Sequence, residues 1–145
     1  MKVILLSHGT LAQGMAEACK MIIGDTSRLL TLSLEEEAGV AAFEEGLMHL
    51  LQKVEGDYLI LCDLYFGTPF NTAVRLAQKD ILENRCRILT GVNLAMLLEV
   101  MTGLENEDMT NLEKLTRAAM AAGREGFHDY VIKETDDNYD EDECL

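Results

Sequence analysis

The chain has 145 residues, with 12 Lys and Arg against 26 Asp and Glu, a net charge of −14 and a hydrophobic share of 48%. That length makes one ordinary domain, able to bury roughly 68–70% of the surface its unfolded chain exposes. Acidity without any basic cluster argues against nucleic acid and anionic membrane surfaces as direct partners, since phosphate contact needs Lys and Arg in number.

In chain order, residues 2–7 (KVILLS) read as a buried strand. This N-terminal apolar run is too short for a signal peptide, and no 18-residue apolar span follows it, so a cytoplasmic protein is expected. Leu11, Met15, Ala18, Cys19, Ile22 and Ile23 recur at helical spacing, closed by Gly24-Asp25. Residues 28–33 (RLLTLS) predict a second strand, and Val40, Phe43, Leu47, Leu50, Leu51 and Val54 form one stripe of a second helix. Residues 57–63 (DYLILCD) predict the third strand; after a Gly-containing loop, Phe70, Ala73, Val74 and Ala77 mark the third helix. Residues 86–90 (CRILT) predict the fourth strand, followed by a helix through Leu94, Leu97, Leu98 and Met101. Thr110 and Glu113 have capping-box spacing and open a fifth helix running to about Gly123. Residues 127–133 (FHDYVIK) are a possible last, polar-edged strand.

From Glu134 to Leu145 the chain carries seven acids and no Lys or Arg, which leaves 19 acids against 12 bases in the rest, a net of −7. The sequence therefore divides into a domain over 1–133 and an acidic tail over 134–145, read as a disordered, solubilising end. The four cysteines, at 19, 62, 86 and 144, form no CxxC pair. They read as buried free thiols in a reducing compartment rather than disulfides or a zinc site.

Strands alternating with helices predict an α/β fold: a doubly wound, mostly parallel four-stranded sheet flanked by helices, with a possible fifth strand at the C-terminus. The common order for such a sheet sets strand 1 beside strand 3 and places ligands at the carboxyl ends of those two strands. There stand Ser7-His8-Gly9-Thr10 and Asp63-Leu64-Tyr65-Phe66-Gly67-Thr68-Pro69-Phe70-Asn71. The fold rule thus brings His8 and Asp63 together. A carboxylate accepting the Nδ1 proton fixes the imidazole tautomer and leaves Nε2 as a nucleophile. Thr10 is the predicted cap of the first helix, and Thr68-Pro69 supply N-cap and N1 of the third. Free amides at both helix starts would surround His8, and Gly9 and Gly67 permit close backbone approach, which suits a phosphoryl group.

The bland alternative, a polar loop histidine, stays open beside this reading. A metal site lacks a local third ligand, and no metal is expected. There is no G-x-S-x-G, G-x-G-x-x-G or P-loop, so neither an elbow-type nucleophile nor a nucleotide cofactor is expected. His49 and His128 have no carboxylate placed beside them and read as core or surface residues. Leu64, Tyr65 and Phe66 read either as a partner contact or as buried loop packing.

From Met1 to about Phe127 the chain resembles the enzyme IIA component of the mannose family of the phosphoenolpyruvate-dependent sugar phosphotransferase system. The resemblance is carried by His8-Gly9, by Asp63 with Thr68-Pro69-Phe70-Asn71, by the segment from Gly91 to Glu99, and by Gly123-Arg124-Glu125-Gly126. It implies that His8 is phosphorylated, with the small phosphocarrier HPr as donor and a separate enzyme IIB as acceptor. Asp63 would hold the ring, and Thr68 would stand near the phosphoryl group. No cofactor is implied, and membranes are met only through the sugar-transporting subunits. The family is typically a homodimer that exchanges its C-terminal strand, a role falling here to residues around 127–133. Ala95 departs from the proline often found there. Two alternatives keep the fold: the phosphotransfer subunit of a dihydroxyacetone kinase system, and a non-catalytic regulator that binds an anion or a partner.

Overall fold

The computed structural model describes residues 1–79, 86–109 and 111–132. Its elements are β1 (Lys2–His8), α1 (Leu11–Ile23), β2 (Leu29–Leu34), α2 (Gly39–Lys53), β3 (Tyr58–Cys62), α3 (Thr68–Lys79), β4 (Cys86–Thr90), α4 (Leu94–Gly103) and α5 (Leu112–Glu125). A short 3₁₀ turn at Glu107–Met109 joins the last two helices. All three strand pairings are parallel and the sheet order is β2-β1-β3-β4, so the chain reverses its winding between β1 and β3 as expected.

The parity of β1 explains the two-sided core. Side chains alternate along a strand, so Val3 and Leu5 face one way and Ile4 and Leu6 the other. Val3 and Leu5 pack with Ala12 and Cys19 of α1, Leu97 and Val100 of α4, and Leu115 and Ala119 of α5. Ile4 and Leu6 pack with Phe43 and Leu47 of α2 and Ala73 and Leu76 of α3. All four β1 side chains are fully buried, and each burial of that kind is worth about 1.5–3 kcal/mol. A strand covered on both faces has no polar side to show, hence the continuous apolar run in the sequence. The outer surfaces of α2 and α3 are tied by Arg75, which donates twice to Glu44; that guanidinium holds the Glu44 carboxyl below its usual range.

Several local expectations are corrected. The cap of α5 is Asn111, whose side chain accepts from the amides of Glu113 and Lys114; Thr110 of the expected capping box lies outside the described residues. Asn93 caps α4 by accepting from Met96 N–H at 2.9 Å, and its own amide donates to Gly123 O at 2.8 Å, joining the start of α4 to the end of α5. Residues 127–132 form no strand within this chain, and Phe127, Tyr130, Val131 and Ile132 are exposed. A strand needs a neighbour to accept its ladder, and no strand of the described residues pairs with this segment. The acidic tail, 134–145, and Cys144 within it lie outside the described residues. Cys19, Cys62 and Cys86 are free thiols, the first two fully buried and Cys86 partly. Burial, reinforced by the neighbouring Asp63 charge and by Cys86, pushes the Cys62 thiol up to about 12. Among the described residues no helix is long and apolar enough to cross a membrane.

Candidate functional site

The register that pairs Leu6 with Cys62 brings the next residues of β1 and β3 side by side at the carboxyl edge of the sheet. Asp63 N–H donates to Leu6 O at 3.2 Å, extending the pairing one step past the strand. The Asp63 carboxylate then returns the contact. Its Oδ2 accepts both the His8 backbone N–H, at 2.8 Å, and His8 Nδ1, at 2.9 Å. One oxygen thereby fixes the main chain and the ring of the same residue. A carboxylate can only accept, so Nδ1 carries the hydrogen, and in the neutral ring Nε2 keeps the lone pair. The His8 side chain is 45% exposed and that of Asp63 only 11%. The other carboxylate oxygen, Oδ1, is buried without a hydrogen-bond partner among the described residues.

Strand parity also separates Ser7 from His8. Ser7 points to the α1 side, where its Oγ accepts from Ala12 N–H at 2.8 Å and donates to Gly9 O at 3.3 Å. Ser7 therefore takes the capping role expected of Thr10, which makes no side-chain cap bond. At the other helix, α3 begins at Thr68 itself, one residue earlier than expected.

The amides around His8 are partly committed, which narrows the expectation of free donors. Gly9 N–H bonds to Leu34 O at 2.9 Å and Gly67 N–H to Leu64 O at 3.3 Å. Among the described residues, Thr68 and Phe70 in the first turn of α3 find no protein acceptor for their amides. These, with the positive end of the α3 dipole, form an anion-favouring surface next to the ring.

The loop from Asp63 to Gly67 is shaped by one unusual backbone and one close approach. Phe66 has φ 58°, the left-handed region, which costs a bulky residue about 1–2 kcal/mol. Its carbonyl is held by Asn71 Nδ2 at 3.0 Å. Gly67 follows, and a Cβ there would stand 2.8 Å from His8 Cε1, 3.3 Å from Leu64 O and 3.5 Å from His8 Nε2. Glycine is required because the imidazole lies in the space a side chain would fill. The φ of Gly67 is outside the left-handed region, so Gly67→Ala acts through its contacts, first with the His8 ring and then with the Leu64 carbonyl. Gly67→Ala is expected to swing the His8 ring off Asp63, read as a shift of its Nδ1 and Cε1–H resonances. The melting temperature should change by no more than about 4 °C.

Leu64, Tyr65 and Phe66 are 58%, 59% and 68% exposed, so they form surface rather than buried packing. Tyr65 stacks on Phe66 with ring centroids 4.0 Å apart, and Phe70 sits edge-on behind them at 6.0 Å from Phe66. Leu11, at the first turn of α1 and 49% exposed, belongs to the same end of the molecule. His49 and His128 are both exposed. Among the described residues no three His, Cys, Asp or Glu side chains gather into a metal-ligating group. Ser7, Leu11 and Asn71 are site residues that the sequence left unassigned. Strand parity would have found Ser7, and the reach of a helix residue back over its first turn would have found Asn71.

These features define a class: a doubly wound α/β domain that presents a carboxylate-oriented, half-exposed histidine at its topological switch point. The family model described as "PTS system fructose IIA component" matches residues 2–118, and the chain belongs to that family, the IIA components of phosphotransferase systems. It is 30% identical over 112 residues to the fructose-specific EIIA component of Bacillus subtilis (strain 168), covering 76% of this chain and 75% of that one. It is 26% identical over 113 residues to the sorbose-specific EIIA component of Lacticaseibacillus casei, covering 77% and 80%. The mannose/sorbose-specific IIA subunit from Enterococcus faecalis superposes with a TM-score of 0.78 at 26% identity, covering 92% of this chain and 97% of that one.

Proposed function

We propose that this IIA component is a phosphocarrier that accepts a phosphoryl group on Nε2 of His8 from phospho-HPr and passes it to enzyme IIB. The observation that carries this is the 2.9 Å contact from His8 Nδ1 to Asp63 Oδ2, which leaves Nε2 as the lone-pair nitrogen on an exposed ring. In the step, the Nε2 lone pair forms a bond to phosphorus as the donor's phosphorus–nitrogen bond breaks, and the donor ring keeps that electron pair. His8 releases no proton, because Nδ1–H stays on Asp63. The modified ring carries positive charge, which the Asp63 carboxylate offsets.

A loose phosphoryl-transfer transition state asks the protein mainly for position and charge neutralisation. The free amides at the start of α3 supply donors for the phosphoryl oxygens, with the Thr68 hydroxyl beside them. Gly9 and Thr10 close the α1 side of the same cleft. Leu64, Tyr65 and Phe66 give HPr and enzyme IIB a rigid apolar contact beside the reacting nitrogen. The chain acts in the cytoplasm as a homodimer, with the exposed apolar segment from Phe127 added to a second copy. Selection of the sugar belongs to the membrane subunits, since the two relatives above are named for different sugars while matching this chain to similar extents.

The test is to incubate the protein with phosphoenolpyruvate, enzyme I and HPr, then map the modified residue in a digest. The phosphorus should sit on the peptide containing His8, bonded to Nε2. Modification on the His49 or His128 peptide, or on Nδ1 of His8, would overturn the assignment.

A further inference from the structure

We infer that Asn71 is a positioning residue for His8, acting at one remove through the backbone of Phe66 and Gly67. This inference rests on His8 being the phosphoryl acceptor. Asn71 closes both carbonyls of that pair. Its backbone N–H donates to Gly67 O at 2.9 Å, and its side-chain Nδ2 donates to Phe66 O at 3.0 Å. The second bond falls on the one described non-glycine residue with positive φ, Phe66 at 58°.

Left alone, a phenylalanine favours negative φ, because its Cβ crowds the following carbonyl in the left-handed region. Something must hold Phe66 where it is; Tyr65 and Phe70 touch its ring, and the Asn71 amide is the hydrogen-bond donor that reaches its backbone carbonyl. The consequence appears one residue on. With Phe66 left-handed, Gly67 lies flush against the His8 ring, where even a Cβ would come within 2.8 Å of Cε1. Asp63 holds the ring at Nδ1, and the Gly67 backbone walls it on the Cε1–Nε2 side. The same bend presents Tyr65 and Phe66 as exposed surface. Asn71 thus couples ring position to the shape of the apolar loop without touching the ring.

The coupling has a genetic signature. Glycine adopts positive φ freely, so Phe66→Gly should remove the need for the Asn71 bond. Four proteins are compared: wild type, Asn71→Ala, Phe66→Gly and the double variant. Two readouts are taken, single-turnover phosphoryl uptake at saturating phospho-HPr and the His8 imidazole resonances of the unphosphorylated protein. Asn71→Ala alone should slow uptake by about 10- to 100-fold and shift the His8 resonances. Added to Phe66→Gly, the same substitution should cost less than about threefold and move the resonances little. Loss of a merely structural contact within α3 would not be rescued by a glycine in the loop.

An equal cost of Asn71→Ala in both backgrounds, or unshifted His8 resonances in Asn71→Ala, overturns the inference. Asn71→Asp keeps the side-chain shape and removes the donor, and it carries the same comparison if the alanine variant does not fold. The resonances are read without any phosphoryl donor, so the two proposals fail separately. Absent uptake by wild type with the resonance pattern intact sinks the phosphocarrier reading and leaves the positioning role standing.

Discussion

His8→Ala is expected to abolish phosphoryl uptake, by at least about 10³-fold, while leaving the fold in place. The chemistry is lost because His8 is the one imidazole among the described residues that the fold sets beside a carboxylate, through Nδ1, and next to a helix start, leaving Nε2 as the nucleophile. His49 on the surface of α2 and His128 beyond α5 have neither, so neither can take over. The fold survives for a reason visible at Asp63. Its Oδ2 also accepts the backbone N–H of residue 8, at 2.8 Å, and that bond does not depend on the side chain. The buried carboxylate keeps a partner, and the ring removed is nearly half exposed. The stability loss should therefore stay within about 1.5 kcal/mol. Label incorporation with a thermal melt checks both halves, and residual uptake above a few per cent of wild type contradicts the prediction.

Asp63→Asn should slow uptake by about 10²–10⁴-fold at saturating donor, with little change in the donor concentration needed. Asparagine is nearly the same shape but cannot meet the same demands. If its amide oxygen faces His8, its NH₂ group enters the place of Oδ1, which is buried and makes no hydrogen bond among the described residues, and there the NH₂ needs an acceptor. If the NH₂ faces His8 instead, it opposes the backbone N–H and favours the tautomer with hydrogen on Nε2, where attack must occur. In either orientation the negative charge that offsets the phosphorylated ring is gone. Docking should persist because Leu64, Tyr65 and Phe66 are untouched. A rate within threefold of wild type would remove Asp63 from the mechanism.

The two predictions draw on different layers of the molecule. That His8 and Asp63 meet was legible from the sequence, because strand order follows from the alternation of apolar runs and helical stripes, and strand ends follow from order. How they meet was not. The double acceptance by one carboxylate oxygen depends on a strand register, Leu6 opposite Cys62, that no local pattern encodes. The helix starts show the same division. Residue 10 was rightly placed at the N-cap position of α1, and α3 was expected one residue later than it begins, yet Ser7 rather than Thr10 makes the capping bond at α1. Side-chain reach is a matter of three-dimensional direction, and Ser7 reaches α1 only because it sits on the opposite parity from His8. At α5 the cap is Asn111, whose side chain accepts from the amides of Glu113 and Lys114.

The amino-acid sequence by itself determined the layered α/β architecture, the order of the sheet and the pairing of a histidine with an aspartate at its switch point. Those features rest on the periodicity and extent of burial, properties each segment carries alone. Tertiary structure alone decided which atoms engage. It gave Gly67 its steric necessity, set Phe66 in the left-handed region, recruited Asn71 to hold it there, and turned Leu64, Tyr65 and Phe66 outward. The contact of Gly67 with His8 joins residues brought together by the parallel pairing of β1 and β3, and the Asn71 bond reaches back five residues along the chain. The physical reason is that sterics and hydrogen bonds act over a few ångströms, and no sequence separation specifies a distance that short.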